Sequence, residues 1–321
     1  MKCKWIKKLT AGIIFLAAVG SLSGCQKAAT SENLFRDIEV NMTSVESAEE
    51  NQIVKLQMGD GDSAISQESN LDIEMTRNPA SVHRKGQQKT NMAGTKETQE
   101  MESYQVEEDG KTVIYSGTDE AWEKNAVEEK ETSSQQTVLF DGLQNLSGAF
   151  SVSQDLATVN KEECFELTGT ISGTQFQETF ADTLKALLGE DSSDLSGWNL
   201  QASEDEENNE ELQQKLNNVK VDCVIDIYRN NILPAKITFD LTDYLKAAGE
   251  ENAQVTSYTL EVTFVSYNDT KKIKVPKAVK ESAKDNGEDE AENNTDEMLK
   301  EENQEAAAEA EAAKGIQSDI E

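Results

Sequence analysis

Histidine is almost absent from this sequence: His83 is the only one among 321 residues. A catalytic triad or a histidine-based zinc site needs imidazole groups, and no serine or cysteine stands in a Gly-x-Ser-x-Gly setting. Hydrolytic triads and histidine zinc sites are therefore nearly excluded. We interpret His83, between Val82 and Arg84, as a surface or edge residue of a strand. The sequence predicts no catalytic residue, no cofactor and no metal site.

Positive charge is also scarce. The chain has 30 lysines and arginines against 62 aspartates and glutamates, a formal net charge of -32. Such a surface repels phosphate backbones, so a nucleic acid is an improbable partner. The same repulsion acts on anionic lipid head groups, so we expect membrane contact through a lipid anchor and not through a basic face.

Cysteines are few as well, and two of the four lie within the first 25 residues. The others, Cys164 and Cys223, allow two interpretations. In an exported protein they can form a disulfide, which would add about 4 kcal/mol in the chain-entropy model. Alternatively they are two buried free thiols. If both lie on strands, they can bond only where their faces meet.

An export signal opens the chain. Four lysines between Lys2 and Lys8 precede an apolar run from Leu9 to Val19, which ends at the tetrapeptide Leu22-Ser23-Gly24-Cys25. The run is too short to span about 30 Å of hydrocarbon, and the tetrapeptide resembles a bacterial lipobox. We predict a lipoprotein signal peptide at 1–24, acylation of Cys25, and a short linker at 25–33. The protein would then be lipid-anchored on the extracytoplasmic face of the cell membrane.

Alternating segments after the linker indicate strands. Leu71, Ile73 and Met75 alternate with acidic residues, the pattern of a half-buried strand. Asp109-Gly110 stands between two such runs and predicts a hairpin. We therefore expect strands to dominate residues 37–127.

Helical spacing appears in the middle of the chain. Residues 139–150 carry apolar side chains four, three and four apart and predict one amphipathic helix. A second helix is predicted from a capping box of Thr174 with Gln177 to a C-terminal cap at Gly189. Its apolar face includes Phe176 and Phe180. A further short helix is expected near Leu212 and Leu216.

Three further strands are predicted next. Residues 219–228 are rich in β-branched side chains, and residues 235–241 and 258–264 alternate between apolar and polar. We predict an antiparallel meander of three strands.

The composition changes near the C-terminus. Residues 284–321 are rich in Glu, Asp, Asn and Ala and contain few large apolar side chains. Such a segment cannot bury enough apolar surface to offset the entropy of ordering it. We predict a disordered acidic tail.

The order of these features resembles the LolA/LppX-like superfamily, and more closely its uncharacterised clostridial-type lipoproteins. The resemblance covers about residues 34–283, which we predict to be one domain. It rests on the lipobox, a Pro79-initiated strand, Asp109-Gly110-Lys111 followed by Trp122, Leu233-Pro234, Tyr267-Asn268 and Val275-Pro276. It implies an α+β fold, a curved antiparallel sheet or half-open barrel with amphipathic helices on its concave face. Several members of the superfamily carry lipids or acyl chains in that cup.

Two functions compete. The first is a membrane-anchored lipoprotein that binds or carries an apolar, lipid-like ligand between sheet and helices. The alternative is a non-enzymatic envelope sensor or protein-interaction lipoprotein, whose protein partner is unknown. For the first, the predicted ligand-binding residues are apolar side chains of the inner sheet face and of one helix: Phe176, Phe180, Ile237, Phe239, Leu260, Val262 and Phe264.

Overall fold

The computed structural model describes residues 29–59, 64–118, 121–127, 143–188, 206–248 and 255–285. The predicted signal peptide, Cys25 and residues 286–321 of the predicted acidic tail lie outside the described residues. The first two tail residues, Lys284 and Asp285, instead end the last strand of the sheet.

The described strands form a single sheet of thirteen strands. Its order is β13-β6-β5-β4-β3-β2-β1-β12-β11-β10-β9-β7, and β8 pairs with β9. Every pairing is antiparallel except the parallel contact of β13 with β6. In chain order the strands are β1 Ser47–Met58, β2 Ile65–Arg77, β3 Ala80–Met92, β4 Thr95–Glu108, β5 Lys111–Thr118, β6 Ala121–Val127, β7 Phe150–Val152, β8 Ala157–Val159, β9 Glu162–Ser172, β10 Lys220–Tyr228, β11 Pro234–Asp240, β12 Val255–Tyr267 and β13 Ala283–Asp285.

Helices are placed at the start of the domain and between the later strands. They are α1 Ser31–Met42, a 3-10 helix Leu143–Ala149, α2 Gly173–Leu188, α3 Glu206–Asn217, α4 Thr242–Ala248 and α5 Lys277–Ser282. The result is the predicted α+β fold, a large curved antiparallel sheet whose helices, apart from α5, lie on one face.

The helix-covered face of the sheet holds the main core. Its strands contribute alternate residues, such as Val221, Cys223 and Ile225 of β10, all at most 1% exposed. The helices add Phe35 of α1 and Phe176 of α2, each fully buried. Because side chains alternate along a strand, every second residue of β1, from Glu50 to Met58, lies on this same face.

The opposite face has a smaller core over β4–β6. After β12 the chain crosses to this side as residues 269–285, which we call the C-terminal strap. Ile273, Val275 and Val279 of the strap pack with aromatic side chains of the sheet. These aromatic residues are Tyr104, Tyr115 and Trp122. The strap ends as β13 beside β6, so it also covers that edge of the sheet.

Gly86 marks a point where neighbouring backbones approach closely. A Cβ at this position would lie 2.0 Å from the carbonyl oxygen of Asn70 on β2. Only glycine avoids that clash, and glycines at such points let a sheet bend.

The N-terminal boundary differs from the prediction. The linker was expected to run to residue 33 and to lead into strands, but α1 begins at Ser31. Its N-cap is Thr30, whose hydroxyl accepts a hydrogen bond from the Asn33 amide at 3.3 Å. The spacing of the buried residues Leu34, Phe35, Ile38 and Met42 is the helical signal that the sequence analysis missed.

Two further helix predictions need correction. Of the helix expected over residues 139–150, residues 139–142 lie outside the described ranges. Residues Leu143 to Ala149 form a 3-10 helix, and Phe150 begins β7. The capping box of α2 is formed two residues earlier than predicted. Ser172 and Gln175 exchange the reciprocal bonds, Gln175 N to Ser172 Oγ at 3.2 Å and Ser172 N to Gln175 Oε1 at 3.1 Å. The predicted cap at Gly189 lies outside the described residues.

Other predictions are confirmed. Asp109 and Gly110, both with positive φ, form the turn between β4 and β5. Strands β10, β11 and β12 are the predicted antiparallel meander. The expected short helix near Leu212 is α3.

Candidate functional site

The predicted ligand-binding residues lie deep in the main core. All are at most 3% exposed. The rings of Phe176 and Phe180 contact Phe239 with centroid distances of 5.3 and 4.9 Å, and Tyr244 of α4 adds a contact to Phe176 at 4.9 Å. On the sheet, Ile237 pairs with Val262 and Phe239 with Leu260. The structure thus brings these residues together, but as side chains packed against one another.

A ligand that touched these residues would have to displace those contacts. Closely packed interiors resist such insertion. The direct role of these side chains in ligand binding therefore stays a prediction.

The helix-covered face continues past this core as a row of partly exposed apolar side chains. Met58, Ile65 and Met92 are partners across β1, β2 and β3. Met92 is 57% exposed. We call these three residues the methionine row. Met101 on β4, 38% exposed, lies on the same face but stands opposite Gly86, six positions along β3 from Met92. Methionine side chains are flexible and adapt to apolar partners of varied shape.

On β1, two polar side chains lie between the methionine row and the register shift at Glu49–Glu50. Glu50 and Gln52 are 2% and 1% exposed and point to the helix-covered face. Within the described chain, neither carboxylate oxygen of Glu50 and neither amide atom of Gln52 has a hydrogen-bond partner. Leaving a buried polar group unsatisfied costs about 1–3 kcal/mol. We call Glu50 and Gln52 the inner polar pair.

The inner polar pair sits in a mixed electrostatic environment. Burial raises the pKa of Glu50 to about 7, although the positive charge of Arg84 opposes that rise. Arg84 lies in the same cross-strand row, with Ile73 between the two. Tyr267 is nearby, and burial first and then the Glu50 charge raise its pKa. The Tyr267 hydroxyl donates to the carbonyl of Pro234 at 2.7 Å.

On the opposite face, a pocket of about 440 Å³ lies between the sheet and the C-terminal strap. Its floor is one cross-strand row over four strands, Glu49, Glu74, His83 and Tyr104. The strap supplies the other wall, with Asp269, Lys271, Lys272, Ile273 and Lys274.

His83 belongs to a polar cluster at this floor. Its ring stacks on Tyr104 at 4.3 Å, and its Nε2 lies 2.9 Å from Oε1 of Glu102. The Tyr104 hydroxyl donates to the same oxygen at 2.7 Å, and Lys85 donates to Oε2 at 3.0 Å. Burial would raise the pKa of Glu102, but these hydrogen bonds outweigh it and hold that pKa at about 2.

His83 was predicted to be a surface or edge residue of a strand, and this cluster was not predicted. The His83 side chain is 20% exposed. The cluster is assembled by the register of β2, β3 and β4, which residue spacing alone did not reveal. The available signal was the contrast between β3, which carries basic residues and no acidic ones, and the mainly acidic β2 and β4.

The two described cysteines are free and buried. On the paired strands β9 and β10, Cys164 stands opposite Tyr228 and Cys223 opposite Gly169. This separates the thiols by five rows, about 17 Å, and places them on opposite faces. A disulfide needs Cα atoms about 4.4–6.8 Å apart, so the free-thiol alternative is the one the geometry supports.

Within the described ranges, no helix combines the length and the apolar character needed to cross a bilayer. The same ranges contain no group of three or more His, Cys, Asp or Glu side chains placed to bind a metal ion.

The fold and these sites define a class: an α+β protein built on one large antiparallel sheet with helices packed on it. Residues 30–284 match a family of unknown function, DUF6612, and the chain belongs to that family. No curated protein matches the chain.

Similar solved structures include two mycobacterial proteins. LprF from Mycobacterium bovis is 11% identical with a TM-score of 0.41, and the match covers 77% of this chain and 96% of LprF. The lipoprotein LppX from Mycobacterium tuberculosis is 13% identical with a TM-score of 0.40, covering 76% of this chain and 98% of LppX. A LolA superfamily protein from Nitrosomonas europaea is 9% identical with a TM-score of 0.22, covering 78% and 97%.

Proposed function

We propose that this protein is a lipid-anchored extracytoplasmic lipoprotein that binds an apolar, lipid-like ligand on the helix-covered face of its sheet. The proposal includes no catalytic step. The anchor is assigned to Cys25 from the lipobox in the sequence, and the ligand site is assigned from the apolar character of the sheet face.

The observation that carries the ligand proposal is the methionine row. Val54 and Met58 of β1 pack against the main core, and the same face then continues through Ile65 to the exposed Met92. An apolar surface that is continuous with a core but partly exposed is typical of a ligand or partner site. A tethered protein has lipid as its nearest abundant apolar molecule, so we assign a lipid to this surface.

In this proposal, the predicted ligand-binding residues of the main core form the closely packed end of the same sheet face. Phe176, Phe239 and Leu260 hold the helices against the sheet, and the ligand lies beyond them, over the methionine row. The sequence-based prediction goes one step further and places the ligand in direct contact with these core residues.

The anchor and the ligand are tested separately. Intact-mass analysis of protein extracted from envelopes should show added acyl chains on the mature N-terminus, and Cys25→Ala should release the protein from the membrane fraction. An unmodified wild-type N-terminus would overturn the anchor assignment.

For the ligand, lipids are extracted from purified full-length protein and quantified. Met92→Gln should reduce the co-purifying lipid at least threefold, because a polar side chain lowers the affinity of the surface for acyl chains. Leu156→Gln is the matched control, since Leu156 is 44% exposed but is not part of the row. A wild-type protein free of lipid would overturn the ligand proposal and favour the alternative, a protein-interaction lipoprotein.

A further inference from the structure

Buried polar atoms in folded proteins are nearly always paired with protein groups, with ordered water or with a ligand. The inner polar pair departs from this rule at four atoms on neighbouring positions of one strand face. Two such side chains side by side indicate an occupant that supplies their hydrogen bonds.

We propose that Glu50 and Gln52 bind the uncharged, hydroxyl-bearing head group of an amphiphile, whose acyl chain lies along the partly exposed side chains of Val54 and Met58. This inference rests on the proposed function and deepens it by naming the chemical class of the head group.

Like an amphiphile, the helix-covered face of strand β1 has a polar end and an apolar end. On the helix-covered face it presents Glu50 and Gln52 and then only apolar side chains, Val54, Leu56 and Met58. From Gln52 to Met58 the strand extends about 20 Å. That length accommodates one acyl chain, which fills about half of a 30 Å hydrocarbon core.

The charges around the inner polar pair favour an uncharged head group. A phosphate or carboxylate would be repelled by Glu50. A cationic amine would be repelled by Arg84, which lies in the same cross-strand row as Glu50. With one acidic and one basic group nearby, neither sign of ligand charge is favoured.

Hydrogen-bonding capacity points to hydroxyl groups. The amide of Gln52 offers both donors and an acceptor. The carboxyl of Glu50 accepts, and because burial raises its pKa to about 7 it also donates in its protonated form. A hydroxyl group both donates and accepts, so it complements both side chains.

The test uses three probes with the same acyl chain: monomyristin with free hydroxyls, methyl myristate with none, and the anion myristate. The protein is the full chain with Cys25→Ala, delipidated, so that no covalent acyl chain competes. Binding is measured by native mass spectrometry and titration calorimetry. We expect monomyristin to bind at least tenfold more tightly than either of the other probes.

Gln52→Leu is the diagnostic variant. It should remove the preference for monomyristin while raising the melting temperature, because it removes two unpaired polar atoms from the core. A purely structural residue would lower the melting temperature when replaced. Gln57→Leu, the same change on the opposite face of β1, is the matched control and should leave the preference intact.

Each contrary outcome is distinct. Equal binding of monomyristin and methyl myristate would overturn this inference and leave the proposed function standing. Tighter binding of myristate would overturn the uncharged class. A lower melting temperature for Gln52→Leu with unchanged probe preference would assign the pair to buried water and overturn the inference. Failure of all three probes to bind would overturn the proposed function itself.

Discussion

At the residue scale, the hydrogen bonds to Glu102 make the stability of the folded protein depend on pH. Its carboxylate accepts bonds from Tyr104, His83 and Lys85, and its pKa in the folded protein is about 2, below the ordinary value of 4.5. A carboxyl group whose pKa falls on folding stabilises the protein above its unfolded pKa. That contribution is lost as the pH falls from about 4.5 to about 2.

Glu102→Gln should therefore lower the free energy of unfolding at pH 7 and flatten its decline in acid. We expect a loss on the order of 1–2 kcal/mol, below the full value of the pKa shift because solvent partly screens the carboxylate. Urea unfolding at several pH values between 2 and 7 measures this. Glu100→Gln, an exposed position two residues away on β4, should leave the profile unchanged, and an equal effect of both variants would contradict the argument.

Single residues also show where sequence reasoning was limited. Cys223 lies on the face of Val221 and Ile225, as alternation along a strand requires. Alternation did not reveal that Cys164 lies five rows away on the other face, because that depends on the pairing of β9 with β10. The inner polar pair was missed for a similar reason. Glu50 and Gln52 are polar residues in a strand, and their burial depends on the neighbouring strands and helices, which the local sequence does not show.

At the element scale, α2 begins with reciprocal hydrogen bonds between Ser172 and Gln175. Ser172→Ala removes one acceptor for a helix N–H and should destabilise the protein by about 1 kcal/mol. The sequence pattern had favoured Thr174 as the cap, but its hydroxyl instead donates to Asn217 of α3 at 2.8 Å.

Thermal unfolding distinguishes the two assignments. Ser172→Ala should lower the melting temperature more than Thr174→Ala, since the Thr174 bond is exposed and joins two helices. The reverse order would show that the cap is the one expected from the sequence.

The strands were predictable and the helices only in part. Strict alternation identified β2, β11 and β12, and Asp109-Gly110 identified the hairpin of β4 and β5, because these signals are local. The short helix α4 follows Asp240, whose carboxylate accepts from the Thr242 amide at 3.0 Å, and this cue was overlooked. The strap packs across the sheet far from its neighbours in sequence, so no local pattern predicts its position.

At the scale of the whole molecule, the sheet has unequal cores on its two faces. The large core lies under the helices, and the small one over β4–β6 depends on the C-terminal strap. Regions with fewer buried apolar contacts open at lower free energy. We therefore expect the β4–β6 part of the sheet to exchange its amide hydrogens before β10–β12.

Ile273→Ala tests this division. Ile273 is 7% exposed and packs in the small core, so its truncation should destabilise that part by about 2 kcal/mol or more. Hydrogen exchange followed by mass spectrometry should show faster exchange in β4, β5 and β6 and little change in β10 and β11. Leu146→Ala, in the large core, is the counterpart. It should accelerate exchange in β10 and β11 and leave β4, β5 and β6 little changed. Uniform acceleration across the sheet would contradict the two-core description.

The two ends of the strand order, β13 and β7, are each three residues long. A sheet this wide would otherwise offer long rows of unpaired amide and carbonyl groups for a second chain to extend. With both borders reduced to a few residues, intermolecular polymerisation through strand addition is disfavoured. Molecules crowded together on one surface can then stay separate.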